Sequence, residues 1–404
     1  GVIQTQLRSG GAGLAALRRD FAKLPELSNE DIVSFWDAEK AYFSGSLTAR
    51  KQKDETWSFR GLADIDTKNL WLFERDFAQA SFSGSFQENY INGRFLFSGG
   101  GYFADAVGLI AWRPDVKTSL RGKIRVGNER IAKNFLKKDY RLPNDLSFSD
   151  AFYEGLLEYD DAWVLSGDLK TKKLGYGDYF ANDVNTKIVS NGKQVRFHDI
   201  QASVFETGVE GIVVLNLDKG NELAGRLHAK SLNVDKIDAI KNQDILSGNL
   251  DIAVILSGSI DQPIYAVNAN GNVTARFNYE NKKFENVFHI TSRLEGESEK
   301  LKIVSFVAEG DPGVFTGNGT FNISAGELNL EISAHALDVN ELFSGEELEG
   351  TIFGKATISG KLDNLFADAR VEAYSARYNA WQLPFAYADL SLRGQTLLVP
   401  ELFL

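Results

Sequence analysis

Four histidines, His198, His228, His289 and His335, are the side chains best suited to proton transfer or metal ligation. They stand far apart, and no H-x-x-x-H or H-E-x-x-H spacing occurs that would set two of them on one helix face. Carboxylates at Asp64 and Asp66, or at Asp160 and Asp161, could pair for acid–base work. Among 55 acidic residues such neighbours are common, and solvated surface is the simpler reading. There is no cysteine, which removes thiolate nucleophiles, thiolate metal sites and disulfides together. The glycine-rich stretch from Gly310 to Gly319 lacks the Lys-Ser/Thr of a phosphate loop and reads as a turn. Ser98-Gly99-Gly100-Gly101 reads as a bend or bulge, and no Gly-x-Ser-x-Gly elbow is present. The expectation is a chain with no catalytic residues, no metal and no cofactor.

Composition narrows the remaining classes. Of 404 residues, 43% are hydrophobic and 25% charged, enough to bury a sizeable core and too apolar for disorder. A net charge of -11, with no dense Lys/Arg block, argues against nucleic acid as a partner. The longest basic cluster, Lys137-Lys138 near Arg141, reads as a solvated helix face. No apolar run reaches bilayer-spanning length, so any membrane anchor is expected outside these residues.

Two periodicities divide the chain. Leu14, Leu17, Phe21 and Leu24 fall at helical spacing up to Pro25, and Ser28 with Asp31 resembles a capping box before Ile32, Phe35 and Trp36. Short amphipathic helices are therefore expected over 1–41, packed on the chain's own domain or plugging one end of a groove. From about Tyr42 the period becomes two. Asn249 to Val254, Val273 to Phe277, Glu327 to Ser333 and Phe385 to Leu390 alternate polar and apolar, the mark of strands with one dry and one wet face. Turn signals are read at Ser44-Gly45, Ser83-Gly84, Asn92-Gly93, Ser166-Gly167, Asn191-Gly192, Ser257-Gly258, Asn318-Gly319 and Ser359-Gly360. Seven prolines leave strand pairing nearly uninterrupted. The class is all-β, with a helical insertion near 128–138 and a short turn at Val234-Ile237-Ile240.

The chain also repeats itself. Leu232-Asn233-Val234-Asp235-Lys236-Ile237 matches Leu337-Asp338-Val339-Asn340-Glu341-Leu342 at an offset of 105 residues. Leu246-Ser247-Gly248 then matches Leu348-Glu349-Gly350, and Leu256-Ser257-Gly258 matches Ile358-Ser359-Gly360, both at an offset of 102. Three blocks in the same order point to copies of one module, stacked so that each covers its neighbour.

Gly360-Lys361-Leu362-Asp363-Asn364-Leu365-Phe366-Ala367, running on to Ala373, resembles an element of the AsmA-like superfamily, in particular its TamB-type members: a G-x-L-x-N-P motif followed by a small-residue strand. Leu365 stands where proline is usual, while Ser259-Ile260-Asp261-Gln262-Pro263 keeps it. Residues 151–240 resemble one AsmA-like unit, and the likeness runs from Tyr42 onward, with further groove repeats over 42–150 and 241–404. The resemblance implies a long, twisted antiparallel sheet curled into a U-shaped groove. It also implies a periplasmic location in a diderm bacterium and an inner-membrane anchor outside these residues. The implied cargo is phospholipid moving toward the outer membrane, with an outer-membrane β-barrel protein as a partner.

Physical reasoning on the strands leads the same way. An apolar sheet face must be covered by a second sheet, by helices or by ligand. The few helical signals cannot cover about thirty strands, a sheet of roughly 140 Å at about 4.8 Å per strand. Acyl chains along the open side are one cover, and Leu250, Ile252, Val254, Val273, Ala275, Phe277, Leu328, Leu330, Ile332, Ile352, Ala356 and Ile358 are the expected lining. A structural or adhesive β-solenoid with a closed core is the alternative, since a sealed core shows the same alternation.

Overall fold

The computed structural model describes residues 2–9, 36–52, 57–72, 75–111, 116–135, 145–160, 162–177, 179–218, 221–237, 246–279, 282–297, 300–322, 325–343, 348–361, 364–378, 381–393 and 396–403. Alternating sequence and long runs without proline produce an all-β fold, with 23 strands among the described residues, members of one open antiparallel sheet. Two compact units divide it, Gly1–Ala202 and Ser203–Leu404.

The first unit runs through β1 (Val2–Ser9), β2 (Trp36–Lys51), β3 (Trp57–Leu72), β4 (Arg75–Gln87), β5 (Tyr90–Gly99), β6 (Tyr102–Ala111) and β7 (Thr118–Asn128). Helix α1 (Glu129–Phe135) follows, then β8 (Leu146–Asp160), β9 (Ala162–Tyr176), β10 (Tyr179–Ser190) and β11 (Gln194–Val204), the last running two residues past the boundary. The second unit holds β12 (Thr207–Asn216), β13 (Glu222–Asn233), a 3-10 turn (Val234–Lys236), β14 (Leu246–Gly258), β15 (Pro263–Tyr279), β16 (Lys282–Glu297), β17 (Lys300–Gly310), β18 (Gly313–Asn322) and β19 (Glu327–Asp338). The one-turn helix α2 (Val339–Leu342), β20 (Leu348–Lys361), β21 (Asn364–Tyr378), β22 (Trp381–Arg393) and β23 (Thr396–Phe403) complete it.

The strands are longer and fewer than the sequence suggests, and the glycine pairs explain why. Of the eight turn signals, Asn191-Gly192 lies between strands, and Ser257-Gly258 and Ser359-Gly360 lie at or near strand ends. Ser44-Gly45, Ser83-Gly84, Asn92-Gly93, Ser166-Gly167 and Asn318-Gly319 lie inside strands. Gly84 and Gly93 are direct cross-strand partners. A Cβ on Gly84 would fall on the carbonyl oxygen of Asn92, so glycine here permits close backbone approach and does not turn the chain. Likewise the stretch from Gly310 to Gly319 turns only at Asp311-Pro312 and is otherwise strand.

At the N-terminus the structure differs from the helical expectation. Val2–Ser9 is a strand paired with β2, and β2 starts at Trp36, ahead of Tyr42. Leu14, Leu17, Phe21, Leu24, Ile32 and Phe35 lie outside the described residues, as do Lys137, Lys138 and Arg141.

The module has a period of six strands. Long connections follow β1, β7, β13 and β19, at residues 10–35, 129–145, 234–245 and 339–347, while the longest of the others spans 112–117. The residue preceding three of them recurs every 105 positions: Asn128, Asn233 and Asp338. Each caps its helical turn, accepting from the amides of Ile131 (3.1 Å), Asp235 (2.8 Å) and Asn340 (2.9 Å). The bulge before the cap is shared as well: Ser231 and Ala336, also 105 apart, sit at φ 54° and 49°.

Candidate functional site: the apolar face of the sheet

Side chains of directly paired residues project from the same face, so the registers sort every strand residue to one side. Val254 pairs with Val267, Val267 with Leu294, Leu294 with Ile303 and Ile303 with Gly319. The row continues through Leu330, Ile358, Ala367, Leu392 and Leu397. In the other direction it runs through Leu227 to Gly211. It crosses all twelve strands of the second unit, β12 to β23, and every member is apolar or glycine. Twelve strands at about 4.8 Å make a row of roughly 53 Å.

All twelve residues expected to line a groove stand on this one face, linked through the registers of β14 to β20. Sequence reading missed their neighbours on β16, β17 and β18, among them Leu294, Ile303, Phe306, Phe315 and Phe321. The alternation of Phe315, Gly317, Gly319 and Phe321 was the available signal, hidden because glycine there reads as turn.

The first unit builds its own row: Phe43, Ile65, Phe82, Phe95, Ala106, Gly122, Gly155, Gly167 and Ile188 are successive partners across β2 to β10.

The opposite face mixes ion pairs and polar clusters with exposed apolar side chains such as Leu62, Val107, Ile255 and Val287. In the first unit it carries Arg94 with Asp105 (2.7 Å), Lys123 with Glu154 (3.2 Å) and Lys187 with Asp199 (3.1 Å). In the second it carries Asn270 and Asn272 around His289, Thr316 with His335, and Asp368 with Ser391 and Arg393. Arg125 and Lys172 hold the Asp150 carboxyl down at about 2, and the Ser391 hydroxyl with Arg393 also lowers Asp368. Such exposed pairs add little stability, but each one favours the register in which the apolar side chains share a face.

Burial separates two edges of the second unit's apolar face. At the edge where the helical turns lie, Val273, Phe284, Phe288, Ala308 and Leu337 are buried. Phe343, just after α2, meets Phe284 edge-on at 5.5 Å. Val273, 4% exposed, is therefore covered by protein and leaves the open part of the expected lining. Ala275 is half-buried beside it; Phe277 pairs with Phe284 at that same edge. The other ten, Leu250, Ile252, Val254, Ala275, Leu328, Leu330, Ile332, Ile352, Ala356 and Ile358, are all half-buried. At the far edge a cleft of about 860 Å³ is lined by Leu301, Phe321 and Leu328, with Lys300, Lys302 and Lys361 at the strand ends.

In the first unit a buried cluster, Ala38, Ala41, Leu70 and Ala80 against Phe77 and Phe97, occupies the edge from which α1 departs. A sheet buried between two layers would hide its large apolar side chains completely. Here, among the described residues, the largest side chain to be so hidden is Pro312, in a turn.

Polar chemistry does not converge. The histidines lie on β11, β13, β16 and β19, and among the described residues no group of His, Asp or Glu is placed to hold a metal ion. Asp64 and Asp66 stand exposed on the opposite face of β3, and Asp161 lies outside the described residues. Among the described residues no helix is long and apolar enough to cross a membrane. No family model, no curated protein and no solved structure matches this chain.

Proposed function

We propose that the chain is a non-enzymatic lipid conduit whose apolar face takes phospholipid acyl chains and passes them along the row. The observation that carries this reading is the twelve-strand row from Gly211 to Leu397, apolar throughout, half-buried as far as Leu392 and exposed at Leu397. Water against that surface is costly. Each methylene that replaces it contributes about 0.8 kcal/mol, and the contribution is similar at every strand, so a chain bound at one position gains little by stopping there. The opposite face, which carries the ion pairs, stays in water. On this reading the sheet curls about the apolar side into a trough.

The likeness to AsmA-like proteins supports a conduit in the periplasm of a diderm bacterium. It would run between an inner-membrane anchor and the outer membrane, with a β-barrel protein at the far end. A structural or adhesive solenoid would need a core sealed by its own side chains; the half-buried row favours the conduit.

The test is mass spectrometry of the purified chain, together with variants Val254→Glu and Ile332→Lys. Co-purified phospholipid that both variants lose while keeping their β-sheet spectrum is the expected outcome. A wild-type chain free of lipid, and unable to take it up from vesicles, would end the proposal.

A further inference from the structure

We infer that Asn191 is a self-modifying residue: in the folded chain its side-chain amide becomes a carboxylate by ring closure onto the Gly192 nitrogen, ahead of every other Asn-Gly pair. The inference stands apart from the lipid reading and rests on one turn. The sequence holds four Asn-Gly pairs, at Asn92, Asn191, Asn270 and Asn318, and a following glycine suits this chemistry because no side chain shields its nitrogen. Three of the four lie inside strands. Asn92-Gly93 is paired with β4 and β6, Asn270-Gly271 with β14 and β16, and Gly319 with β17 and β19. Closing a ring from a side-chain carbon onto the next nitrogen requires the main chain between them to rotate, and a ladder bonded on both sides resists that. On Asn270 the nitrogen that must leave is held as well: Nδ2 donates to Thr291 Oγ1 at 3.1 Å.

Asn191 lies in a turn instead. It is exposed and opens the connection 191–193 between β10 and β11, with Gly192 at φ 82°. Its main-chain N–H donates to the carbonyl of Gln194 at 3.1 Å and closes the turn. Its Oδ1 accepts from the amides of Lys193 at 3.2 Å and Gln194 at 2.8 Å, as asparagine does when it templates a turn. Two N–H groups aimed at Oδ1 draw charge from Cγ, and they already stand where negative charge grows when Cγ is attacked. The attacking group, the Gly192 N–H, is held by Ser190 Oγ at 3.3 Å.

Hydroxide removes the Gly192 amide proton, and the nitrogen lone pair forms a bond to Asn191 Cγ. Oδ1 carries the charge until the Cγ–Nδ2 bond breaks. Nδ2 takes a proton from water and leaves as ammonia, and the product is a cyclic imide. Water then adds to either imide carbonyl and opens the ring. One opening gives aspartate; the other gives isoaspartate, whose main chain runs through the former Cγ and is one atom longer. Both add a negative charge beside Lys193, and the isoaspartate lengthens the turn that joins β10 to β11.

The test incubates the whole chain in mildly alkaline, oxygen-labelled water over several days, beside a sample unfolded in guanidinium, and reads both by peptide mass spectrometry. The label separates conversion in the protein from conversion during digestion. Folded chain is expected to convert Asn191 at least about tenfold faster than Asn92, Asn270 or Asn318, each product carrying one labelled oxygen. Unfolded chain is expected to convert all four at rates within about threefold, because the turn and the ladders are gone. Asn191→Gln, whose ring would be larger, is expected to stay unconverted at that position. In the isoaspartate fraction the amides of Lys193 and Gln194 are expected to exchange faster. Folded chain that converts Asn191 no faster than the pairs in strands overturns the proposal. So does an equal preference for Asn191 in the unfolded chain, because the local sequence and not the turn then sets the rate.

Discussion

The buried side chain of Asn286, on the apolar face of β16, donates through Nδ2 to the carbonyl of Leu342 at 3.2 Å. This bond ties the helical turn after β19 to a strand three places back and closes one edge of the second unit's apolar face. Replacing Asn286 by Ala leaves the Leu342 carbonyl without that donor. The expected cost is about 1–3 kcal/mol in a denaturant unfolding midpoint. A second expected sign is faster amide exchange at α2, while the middle of β14 and β15 keeps its protection.

The caps that recur every 105 residues should behave alike. Asp338 accepts from the amides of Asn340 (2.9 Å) and Glu341 (3.4 Å). Asp338→Ala and Asn128→Ala are each expected to cost about 1 kcal/mol, the usual contribution of such a cap. Equal unfolding midpoints for wild type and both variants would show that these turns carry no stability.

Gly84 and Gly93 face one another with no room for a Cβ, whereas a Cβ at Gly208 would meet nothing within 4 Å. Gly84→Val is expected to destabilise the first unit by roughly 2–3 kcal/mol, and Gly208→Ala to stay within about 0.5 kcal/mol of wild type. Thermal melts of the two variants side by side make the comparison.

Neighbouring residues of β14 separate the two faces. Val254 belongs to the apolar row and Ala253 to the opposite face. Val254→Glu is expected to reduce bound lipid about tenfold or more, since losing roughly two methylenes of contact forfeits about 1.6 kcal/mol. Ala253→Glu is expected to keep it. Lipid content per chain, by mass spectrometry, distinguishes the two, and an equal loss in both would assign the lipid elsewhere.

Asp150 gives a pH dependence with a definite sign. Its carboxyl is held at about 2 by Arg125 and Lys172, below the ordinary value of 3.8. Its contribution to stability is complete above about pH 4 and is lost as pH falls through about 2. Carboxyl-detected NMR should find the midpoint near 2. Asp150→Asn should flatten the fall in stability across that window, and an ordinary midpoint in the wild type would dismiss the two ion pairs.

Much of the fold lies in local pattern. Period-two alternation in Asn249 to Val254 or Glu327 to Ser333 requires a strand with one dry face, whatever its partners. The match of Leu232–Ile237 to Leu337–Leu342 marks the repeat, and the helical signals near 131 and 234 become α1 and the 3-10 turn. These features depend on a few neighbouring residues, so they survive without knowledge of the rest of the chain.

Other features depend on what lies across the ladder, and the tertiary structure alone decided them. Asn92-Gly93 reads as a hairpin turn until Gly84 is found opposite, because the space a glycine leaves is defined by the neighbouring strand. The third copy of the module, at Asn128, carries little sequence identity and emerges only from counting strands. Alternation gives each strand an apolar side, but the registers decided that Val254, Leu330 and Ile358 share one face. A slip of one residue anywhere between them would have put them on opposite sides. Closure of that face at one edge, where Val273, Phe284 and Leu337 are buried and Ile332 is not, required contacts between residues more than fifty positions apart.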